Sequence, residues 1–301
     1  MALDELNSDL ANLGYLKRAL EVADFSRVIT GVAQPQITRQ SLARMSVPLP
    51  PLPEQKRIAQ ILDAADALRA KRRESIAQLD ALVQSTFLEM FGDPVANSRG
   101  WPQLTIKDAI DKKVILEIQD GNHGEKHPKI KDFISEGVPF IMANCISGQT
   151  LNVEKAYKLA PHWLSTLRVG FAKSGDVILS HKGTIGRIAV IPDNLNEVIL
   201  SPQVTYYRPS EKISAQFLVG MFSTNEFRRL LEKNAKQSTR AYIGITRQMT
   251  LPIILPPLSE QEKFSAIVYV IASQKSHLQQ HLTELNTLFA SLQSRAFNGE
   301  L

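Results

Sequence analysis

Cysteine is nearly absent from this sequence of 301 residues, and long apolar runs are missing. Cys145 stands alone, so the chain can form neither an internal disulfide nor a cysteine-rich zinc site, and a reducing cytoplasm is the expected compartment. No stretch approaches the roughly 20 consecutive apolar residues of a membrane-spanning helix. The first ten residues are acidic and lack the basic start of an export signal. These absences predict a cytoplasmic protein that does not enter a membrane.

A large excess of one sign of charge is also missing. Lysine and arginine total 35 against 30 for aspartate and glutamate, which gives a formal charge of +5. Such a balance permits binding to a polyanion without requiring it. With 44% hydrophobic residues, the composition is that of a globular protein and excludes a disordered, collagen-like or purely coiled-coil chain. The length fits one large domain or two modest ones.

The strongest positive signal is an internal repeat. Residues 49–55 (LPPLPEQ) recur 206 positions later as residues 255–261 (LPPLSEQ), and the register continues without a gap through the stretch that follows. A unit of 206 residues that ends at Leu301 begins near Ala96, so the first copy is incomplete. The region from about Ala96 to Tyr206 therefore occurs only once.

The similarity extends upstream of the Pro-Pro element in a weaker form. The tetrapeptide ITRQ occurs at residues 37–40 and again at residues 245–248, at an offset of 208. Before it, Leu13–Val22 resembles residues 217–231, because both are helix-like stretches of apolar and charged residues. The start of the chain is therefore expected to match the part of the second copy that precedes its Pro-Pro turn.

The stretches after the two Glu-Gln pairs predict long helices. Their apolar residues follow helical spacing for roughly 33 residues, or about 50 Å. One narrow apolar stripe on so long a helix needs a partner helix along most of its length, and the two copies are the obvious partners for each other. We interpret them as a rigid spacer. The alternative is that they are core helices of two unrelated globules.

The middle of the chain predicts a mixed α and β globule, because strand-like runs alternate with turn signals from Trp101 to about Ile254. Basic and polar side chains gather near its predicted loops, where recognition usually takes place. This group includes Lys126, Lys129 and His181.

Eight of these side chains are candidates for contacts with DNA. Lysine and arginine suit phosphate contacts, whereas glutamine, threonine and arginine can read base edges. Phosphate contacts are expected from Lys173, Lys182, Arg187 and Arg240. Base reading or support of the loop is expected from Thr184, Gln237, Thr239 and Tyr242. For each of them, the alternative is a solvated surface side chain without a ligand.

These motifs together resemble a known family. The Leu-Pro-Pro-Leu-x-Glu-Gln element and its long helix occur twice, around a domain that carries GDVILS at residues 175–180 and GTIG at residues 183–186. This arrangement resembles the specificity subunit of type I restriction-modification systems, over nearly the whole chain. The repeated element is fairly specific, whereas GTIG alone would be a weak signal. The resemblance implies an α+β fold, with one mixed α/β target-recognition domain and two long helices packed as an antiparallel coiled coil.

The resemblance also implies a domain organisation. Residues 1–47 would be the C-terminal remnant of a first target-recognition domain, residues 95–254 a complete one, and residues 48–94 and 255–301 two helical spacer regions. In the family, two recognition domains each read one half of a bipartite DNA sequence, and the helices set their separation. Only one complete domain is present here. The chain could be truncated or rearranged, or a second copy or another chain could supply the other half.

A non-catalytic function follows from the same resemblance. The chain would be a sequence-specific DNA-recognition subunit that directs modification (methyltransferase) and restriction subunits to a target site. Its expected partners are double-stranded DNA and those two kinds of subunit, with self-association as a further option. The alternative is a helical scaffold that assembles partner subunits without reading DNA itself.

The residues give independent reasons to expect no catalytic, cofactor or metal site. An adenine methyltransferase would carry an Asn- or Asp-Pro-Pro-aromatic loop, whereas the Pro-Pro pairs here are flanked by leucine. Residues 182–184 (Lys-Gly-Thr) scramble the order of a phosphate-binding loop. His123 and His127 lie in a stretch with glycine and proline, which disfavours a helical zinc site, and His277 and His281 fit a solvated helix flank.

Overall fold

A computed structural model describes residues 6–30, 34–43, 45–235 and 241–301 of the chain. The residues fall into two compact units, which we call the terminal unit (residues 1–78 and 274–301) and the central unit (residues 79–273). In the part of the chain that is described, no helix is both long enough and apolar enough to cross a membrane.

The terminal unit contains the first elements of the chain. In order they are α1 (Leu13–Val22), β1 (Ile29–Thr30), β2 (Gln36–Ile37), α2 (Arg39–Leu42) and the start of the long helix α3 (Leu52–Phe91). Asn12 caps α1 and Thr38 caps α2, each by accepting a backbone N–H of the first turn. Strands β1 and β2 form an isolated antiparallel pair whose side chains are exposed.

The central unit contains most of the strands. The elements that follow α3 are β3 (Gln103–Thr105), α4 (Ile106–Asp111), β4 (Ile115–Asp120), β5 (Phe133–Ile134), β6 (Val138–Ile141), β7 (Ile146–Ser147), β8 (Thr150–Leu151), β9 (Tyr157–Leu159), α5 (Trp163–Thr166), β10 (Phe171–Ala172), β11 (Val177–Ser180), β12 (Ile188–Val190), β13 (Val198–Leu200), β14 (Val204–Pro209), α6 (Ala215–Ser223), α7 (Asn225–Asn234), α8 (Ile245–Gln248), β15 (Pro252–Ile254) and α9 (Leu258–Phe297).

Two sheets organise the central unit. A four-stranded antiparallel sheet has the order β12-β11-β14-β4, and a five-stranded sheet has the order β10-β13-β6-β9-β5, in which only β13 and β6 run parallel. Strand β11 is buried on both faces: Val177 and Leu179 belong to one apolar cluster and Ile178 to the other. Three consecutive apolar residues are what such two-sided burial requires. The predicted α+β fold is confirmed.

The two long helices confirm the repeat, but each helix is longer than predicted. Helices α3 and α9 have 40 residues each, about 60 Å at 1.5 Å per residue, and are longer than the predicted 33. Both start earlier than predicted, and Pro53 is compatible with the first turn of α3, because its missing N–H leaves no helical hydrogen bond unmade there. Both ends of the two helices keep the offset of 206 residues.

The long helices contact each other within each unit. In the terminal unit, Arg57 donates to the carbonyl of Leu301, and Arg69 donates to Asn286 Oδ1 at 2.8 Å. The residue further along α3 thus contacts the residue nearer the start of α9, so the two helices are antiparallel. In the central unit, the Phe87 and Phe264 rings meet edge to face at 5.5 Å. The predicted antiparallel coiled coil is confirmed, and the alternative of core helices in unrelated globules is not.

The repeated glutamine makes two matching hydrogen bonds in both units, and Gln55 also donates to the carbonyl of Leu10 at 2.9 Å. Gln55 is buried, donates to the carbonyl of Pro50 at 2.7 Å, and accepts the N–H of Asn12 at 2.8 Å. Gln261 donates to the carbonyl of Pro256 at 2.9 Å and accepts the N–H of Ser214 at 2.9 Å. Each glutamine therefore ties its Pro-Pro turn to the cap of a short helix.

The glutamine contacts correct the weaker upstream match. Asn12 caps α1 and Ser214 caps α6, so the counterpart of α1 is α6. The sequence comparison matched Leu13–Val22 with residues 217–231, which begin inside α6 and run into α7. The shift was invisible in the sequence because these stretches share only their helical character, whereas the hydrogen bonds to the glutamines fix the register.

Candidate nucleic-acid interface

The loop after β11 is a short, closed projection. The N–H of Gly186 donates to the carbonyl of Ser180 at 2.9 Å, and the N–H of Arg187 donates to Ser180 Oγ at 2.9 Å. Gly183 and Gly186 have φ of 79° and 84°, in the left-handed region that favours glycine. The GTIG sequence is therefore explained by the turn, and Thr184 between the glycines is exposed.

A second segment lies beside this loop. Lys182 and Tyr242 form an isolated antiparallel bridge, and the N–H of Gly183 donates to the carbonyl of Ala241 at 2.9 Å. Lys182 Nζ lies 6.0 Å from the centre of the Tyr242 ring, at the limit of a cation–π contact. The structure thus brings together three of the eight candidates, namely Lys182, Thr184 and Tyr242. We call residues 182–186 with residues 241–243 the paired-loop surface.

His181 holds the two segments of the paired-loop surface together. Its Nδ1 lies 3.0 Å from the carbonyl oxygen of Ile243, and its backbone carbonyl accepts the N–H of Ile243 at 3.0 Å. The side chain is 2% exposed. The interpretation of His181 as one of the loop side chains is wrong, because the imidazole is buried behind the loop.

The other ring nitrogen of His181 is buried without a hydrogen bond. Nε2 lies 3.7 Å from Asp120 Oδ1, beyond hydrogen-bond distance. Burial lowers the pKa of His181 from its ordinary 6.5, and the nearby Asp120 carboxylate opposes this effect. Lys182 and His123 also lower the pKa of His181, which places both in its neighbourhood.

A buried polar network extends from His181 into the four-stranded sheet. Gln248 donates to the carbonyl of Ile243 and to Thr205 Oγ1, both at 3.0 Å, and accepts the hydroxyl of Tyr207 at 2.5 Å. Thr205 in turn donates to Asp120 Oδ1 at 2.6 Å. Because these groups satisfy one another, the network fixes Ile243 and hence Tyr242 on the sheet.

These supporting residues were missed in the sequence. Asp120 ends β4, whereas Thr205 and Tyr207 lie on β14, and nothing in their local sequence marks them. Gln248 did carry a signal, because it is the last residue of the repeated ITRQ. Its counterpart Gln40 is exposed, which shows that the tetrapeptide does not by itself create the network.

The remaining candidates are placed differently. Arg187 donates to the carbonyl of Ala143 at 3.1 Å, so part of its guanidinium supports the loop. It lines a cleft of about 300 Å³ together with Arg228, which the sequence analysis did not single out. Lys173 is exposed in the turn before β11, so the whole strand separates it from Lys182. Gln237, Thr239 and Arg240 lie outside the described residues.

Another cleft lies beside the loop that follows β4. It has a volume of about 490 Å³ and is lined by residues 122–126 and 166–169. Asn122 is buried and donates to the carbonyl of Lys126 at 2.8 Å, which closes this loop. Lys126 and Arg168 are exposed at the rim. Among the described residues, no group of three or more His, Cys, Asp or Glu side chains could hold a metal ion.

A four-stranded antiparallel sheet with a basic loop, in one chain with an antiparallel pair of long helices, is the module that the fold and this surface define. The family of this module is shown by a profile described as the type I restriction modification DNA specificity domain, which matches residues 3–79 and 122–287. Because the match covers most of the chain, including both copies of the repeat, the chain belongs to this family.

Two curated relatives are specificity subunits of type I restriction enzymes. The MjaVIII subunit of Methanocaldococcus jannaschii is 26% identical over 243 residues, which cover 77% of this chain and 56% of the relative. The EcoBI subunit of Escherichia coli is 24% identical over 327 aligned positions, which cover 99% of this chain and 67% of the relative. The chain thus spans between about half and two thirds of the length of these relatives.

Solved structures share the fold. A structure described as the basis of complex assembly and conformational transition of the type I restriction-modification system has a TM-score of 0.57 at 19% identity, and covers 95% of this chain and 69% of its own. The specificity subunit from M. genitalium has a TM-score of 0.54 at 14% identity, with coverage of 97% and 74%. At these identities the likeness establishes the fold alone.

Proposed function

We propose that the chain is a non-catalytic DNA-recognition subunit whose central unit reads one short half of a target sequence. The observation that carries the proposal is the family match, which includes the segments that form the paired-loop surface. That surface offers an exposed cation, a hydroxyl and an aromatic ring on a rigid support. The cation and the hydroxyl suit a groove of duplex DNA, because cations contact phosphates while polar side chains reach base edges.

Roles follow from the placement of each candidate. Lys182 and Thr184 are exposed at the tip of the loop, so the ammonium would contact phosphate and the hydroxyl a base edge. Arg187 and Tyr242 support the loop, and Arg228, Lys126 and Arg168 extend the positive charge around it. Lys173 would contact phosphate at a separate point, beyond the other end of β11.

The domain organisation and the partners complete the proposal. Residues 95–254 act as a target-recognition domain, residues 1–47 are the end part of another, and residues 48–94 and 255–301 act as helical spacers. The spacers would bind modification subunits, through which a restriction subunit joins. The specificity subunits among the relatives support this assembly, and it would act in the cytoplasm, where the target DNA lies.

The test is competitive DNA binding by the full chain, alone and with a modification subunit added. We expect a preference for one short half-site in a randomised duplex, and affinity that falls steeply with salt as counterions are released. Binding without any sequence preference, together with normal assembly of the complex, would instead support the helical scaffold.

The first prediction concerns Lys182. Lys182→Ala should weaken binding to all sequences by a similar factor and reduce the salt slope by about 1, because one phosphate contact is lost. Lys107→Ala is the matched control, because it removes an exposed lysine of α4 that pairs with Asp111. Thr184→Ala should change the preferred sequence with little effect on the slope. Equal slopes for Lys182→Ala and Lys107→Ala would contradict the proposed role.

A further inference from the structure

A short hairpin lies beside the paired-loop surface in the central unit. Strands β7 and β8 pair antiparallel, so that only Gly148 and Gln149 form the turn between them. Ile146, at the start of β7, is fully buried in the apolar core, whereas Gly148 is exposed. We call residues 146–151 the anchored hairpin, because its base is fixed in the core while its turn reaches the surface.

The turn of the anchored hairpin contains an unfavourable residue. Gly148 and Gln149 have φ of 55° and 63°, so both lie in the left-handed region. A two-residue hairpin turn of this kind favours glycine, asparagine or aspartate, whereas a longer side chain adopts such a φ rarely. Among the described residues, the Gln149 side chain has no hydrogen-bond partner that would offset this strain. The fold therefore does not explain the glutamine, and outliers of this kind cluster at functional sites.

A cleft separates this turn from the paired-loop surface. It has a volume of about 300 Å³, and its walls are residues 146–149, residues 185–188 and one face of α7 that carries Arg228 and Glu232. A Cβ atom on Gly186 would lie 3.8 Å from Cγ of Arg228, so the stem of this arginine lies close to the loop. The anchored hairpin, the loop and α7 thus meet around one opening.

The cleft carries an excess of positive charge. Two arginines, Arg187 and Arg228, line it together with the carboxylate of Glu232. Arg187 donates through Nη1 to the carbonyl of Ala143 at 3.1 Å, which ties it to the segment before the anchored hairpin. Arg228 is exposed and, in the part of the chain that is described, forms neither a hydrogen bond nor an ion pair. Its guanidinium is therefore free to bind a phosphate.

Duplex DNA suits this arrangement of a turn and a cationic cleft. The major groove is about 12 Å wide and admits a two-stranded β ribbon. A glutamine side chain can form two hydrogen bonds with adenine, one to N6 and one to N7. The cleft adjoins the paired-loop surface at Ile185 and Gly186, so one duplex can contact both.

We propose that the turn of the anchored hairpin enters the major groove and that Gln149 reads an adenine of the half-site. Arg228 contacts a phosphate near that base pair, and Arg187 holds the segment before the hairpin against the loop. This inference rests on the proposed function, to which it adds a second reading element beside Thr184. It accounts for a glutamine at a position that the backbone alone would give to glycine.

The test compares the duplex sequences selected by the full chain and by its variants, alone and with a modification subunit added. Gln149→Gly should lose the preference for adenine at one position of the half-site and keep the other preferences. Its affinity for the original half-site should fall about tenfold, because a bidentate contact with a base is lost. Gln149→Arg should change the preferred base at that position from adenine to guanine, whose O6 and N7 pair with arginine.

A matched control separates base reading from backbone strain. Lys113 is also exposed with a positive φ, 55°, and it does not line the cleft. Gln149→Gly and Lys113→Gly should both unfold at temperatures no lower than the unaltered protein, because glycine relieves the left-handed backbone. Only Gln149→Gly should change the selected sequence.

A second pair of variants tests the phosphate contact. Arg228→Ala should weaken binding to all sequences by a similar factor and reduce the salt slope by about 1. Arg229→Ala removes the next arginine of α7, which is exposed but does not line the cleft, and should leave the slope unchanged. Equal slopes for the two variants would contradict the role of Arg228.

The inference is overturned if the unaltered protein selects a half-site and Gln149→Gly selects the same one with the same affinity. It is also overturned if the position that Gln149→Gly affects is not an adenine in the original half-site. A different result, in which the unaltered protein shows no sequence preference, would refute the proposed function itself and the inference with it. The two failures are therefore distinguishable.

Discussion

At the scale of residues, His181 shows how a buried polar group can control an exposed loop. Its imidazole contacts the carbonyl of Ile243 on one side and lies 3.7 Å from Asp120 on the other. Both neighbouring atoms are acceptors, so a neutral imidazole, which has one N–H, can donate to only one of them. The loop is therefore held by a residue whose hydrogen bonding depends on its protonation state.

The pH dependence of stability follows from this burial. The pKa of His181 is lowered in the folded protein, so between the ordinary pKa of 6.5 and the folded pKa the unfolded chain binds a proton that the folded chain does not. The stability contribution is therefore complete above about pH 6.5 and is lost as the pH falls toward the folded pKa. His181→Asn should make stability less sensitive to this acidification.

Thermal unfolding at several pH values measures how His181→Asn changes the pH dependence of stability. His277→Asn, which removes an exposed histidine of α9, is the control. The control should show the same slope as the unaltered protein. NMR titration of the folded protein should give His181 a pKa below 6.5. A value at or above 6.5 would contradict the prediction, because the Asp120 carboxylate would then outweigh burial.

At the scale of elements, the repeated glutamines give a matched pair of tests. Gln55→Ala would leave the N–H of Asn12 and the carbonyl of Pro50 without their partner, and Gln261→Ala would do the same to Ser214 and Pro256. A buried polar group left unsatisfied costs about 1–3 kcal/mol. Each variant should therefore lower stability by a similar amount.

Hydrogen exchange distinguishes the two variants. Gln55→Ala should speed exchange in α1 without affecting α6, and Gln261→Ala should speed exchange in α6 without affecting α1. Gln84→Ala is a suitable control, because its side chain makes only a longer contact of 3.3 Å with the carbonyl of Ser223. Equal effects of Gln55→Ala on both helices would contradict the idea that the glutamines act locally.

Elements differ in how much of them could be predicted from sequence. The long helices were predictable because the offset of 206 and the apolar stripe are both local features. Strand-like runs at residues 138–142, 176–179, 185–191, 198–201 and 203–208 correctly predict β6, β11, β12, β13 and β14. The pairing order was not predictable, because β4 lies beside β14 through contacts between distant parts of the chain. Sequence spacing also could not show that β11 separates Lys173 from Lys182.

At the scale of the whole molecule, the two units differ in how much apolar surface they bury. The buried cluster of the terminal unit is built around Tyr15, Leu62 and Phe289 and includes several alanines, whereas that of the central unit contains phenylalanines, isoleucines and leucines from many elements. Because local stability follows buried apolar area, the terminal unit should open more readily.

Native-state hydrogen exchange tests this difference. The amides of β1 and β2 should exchange fastest, because the side chains of both strands are exposed. The amides of β11 and β14 should exchange slowest, because these strands are buried. Equal protection of β1, β2 and β11 would contradict the link between buried apolar area and local stability.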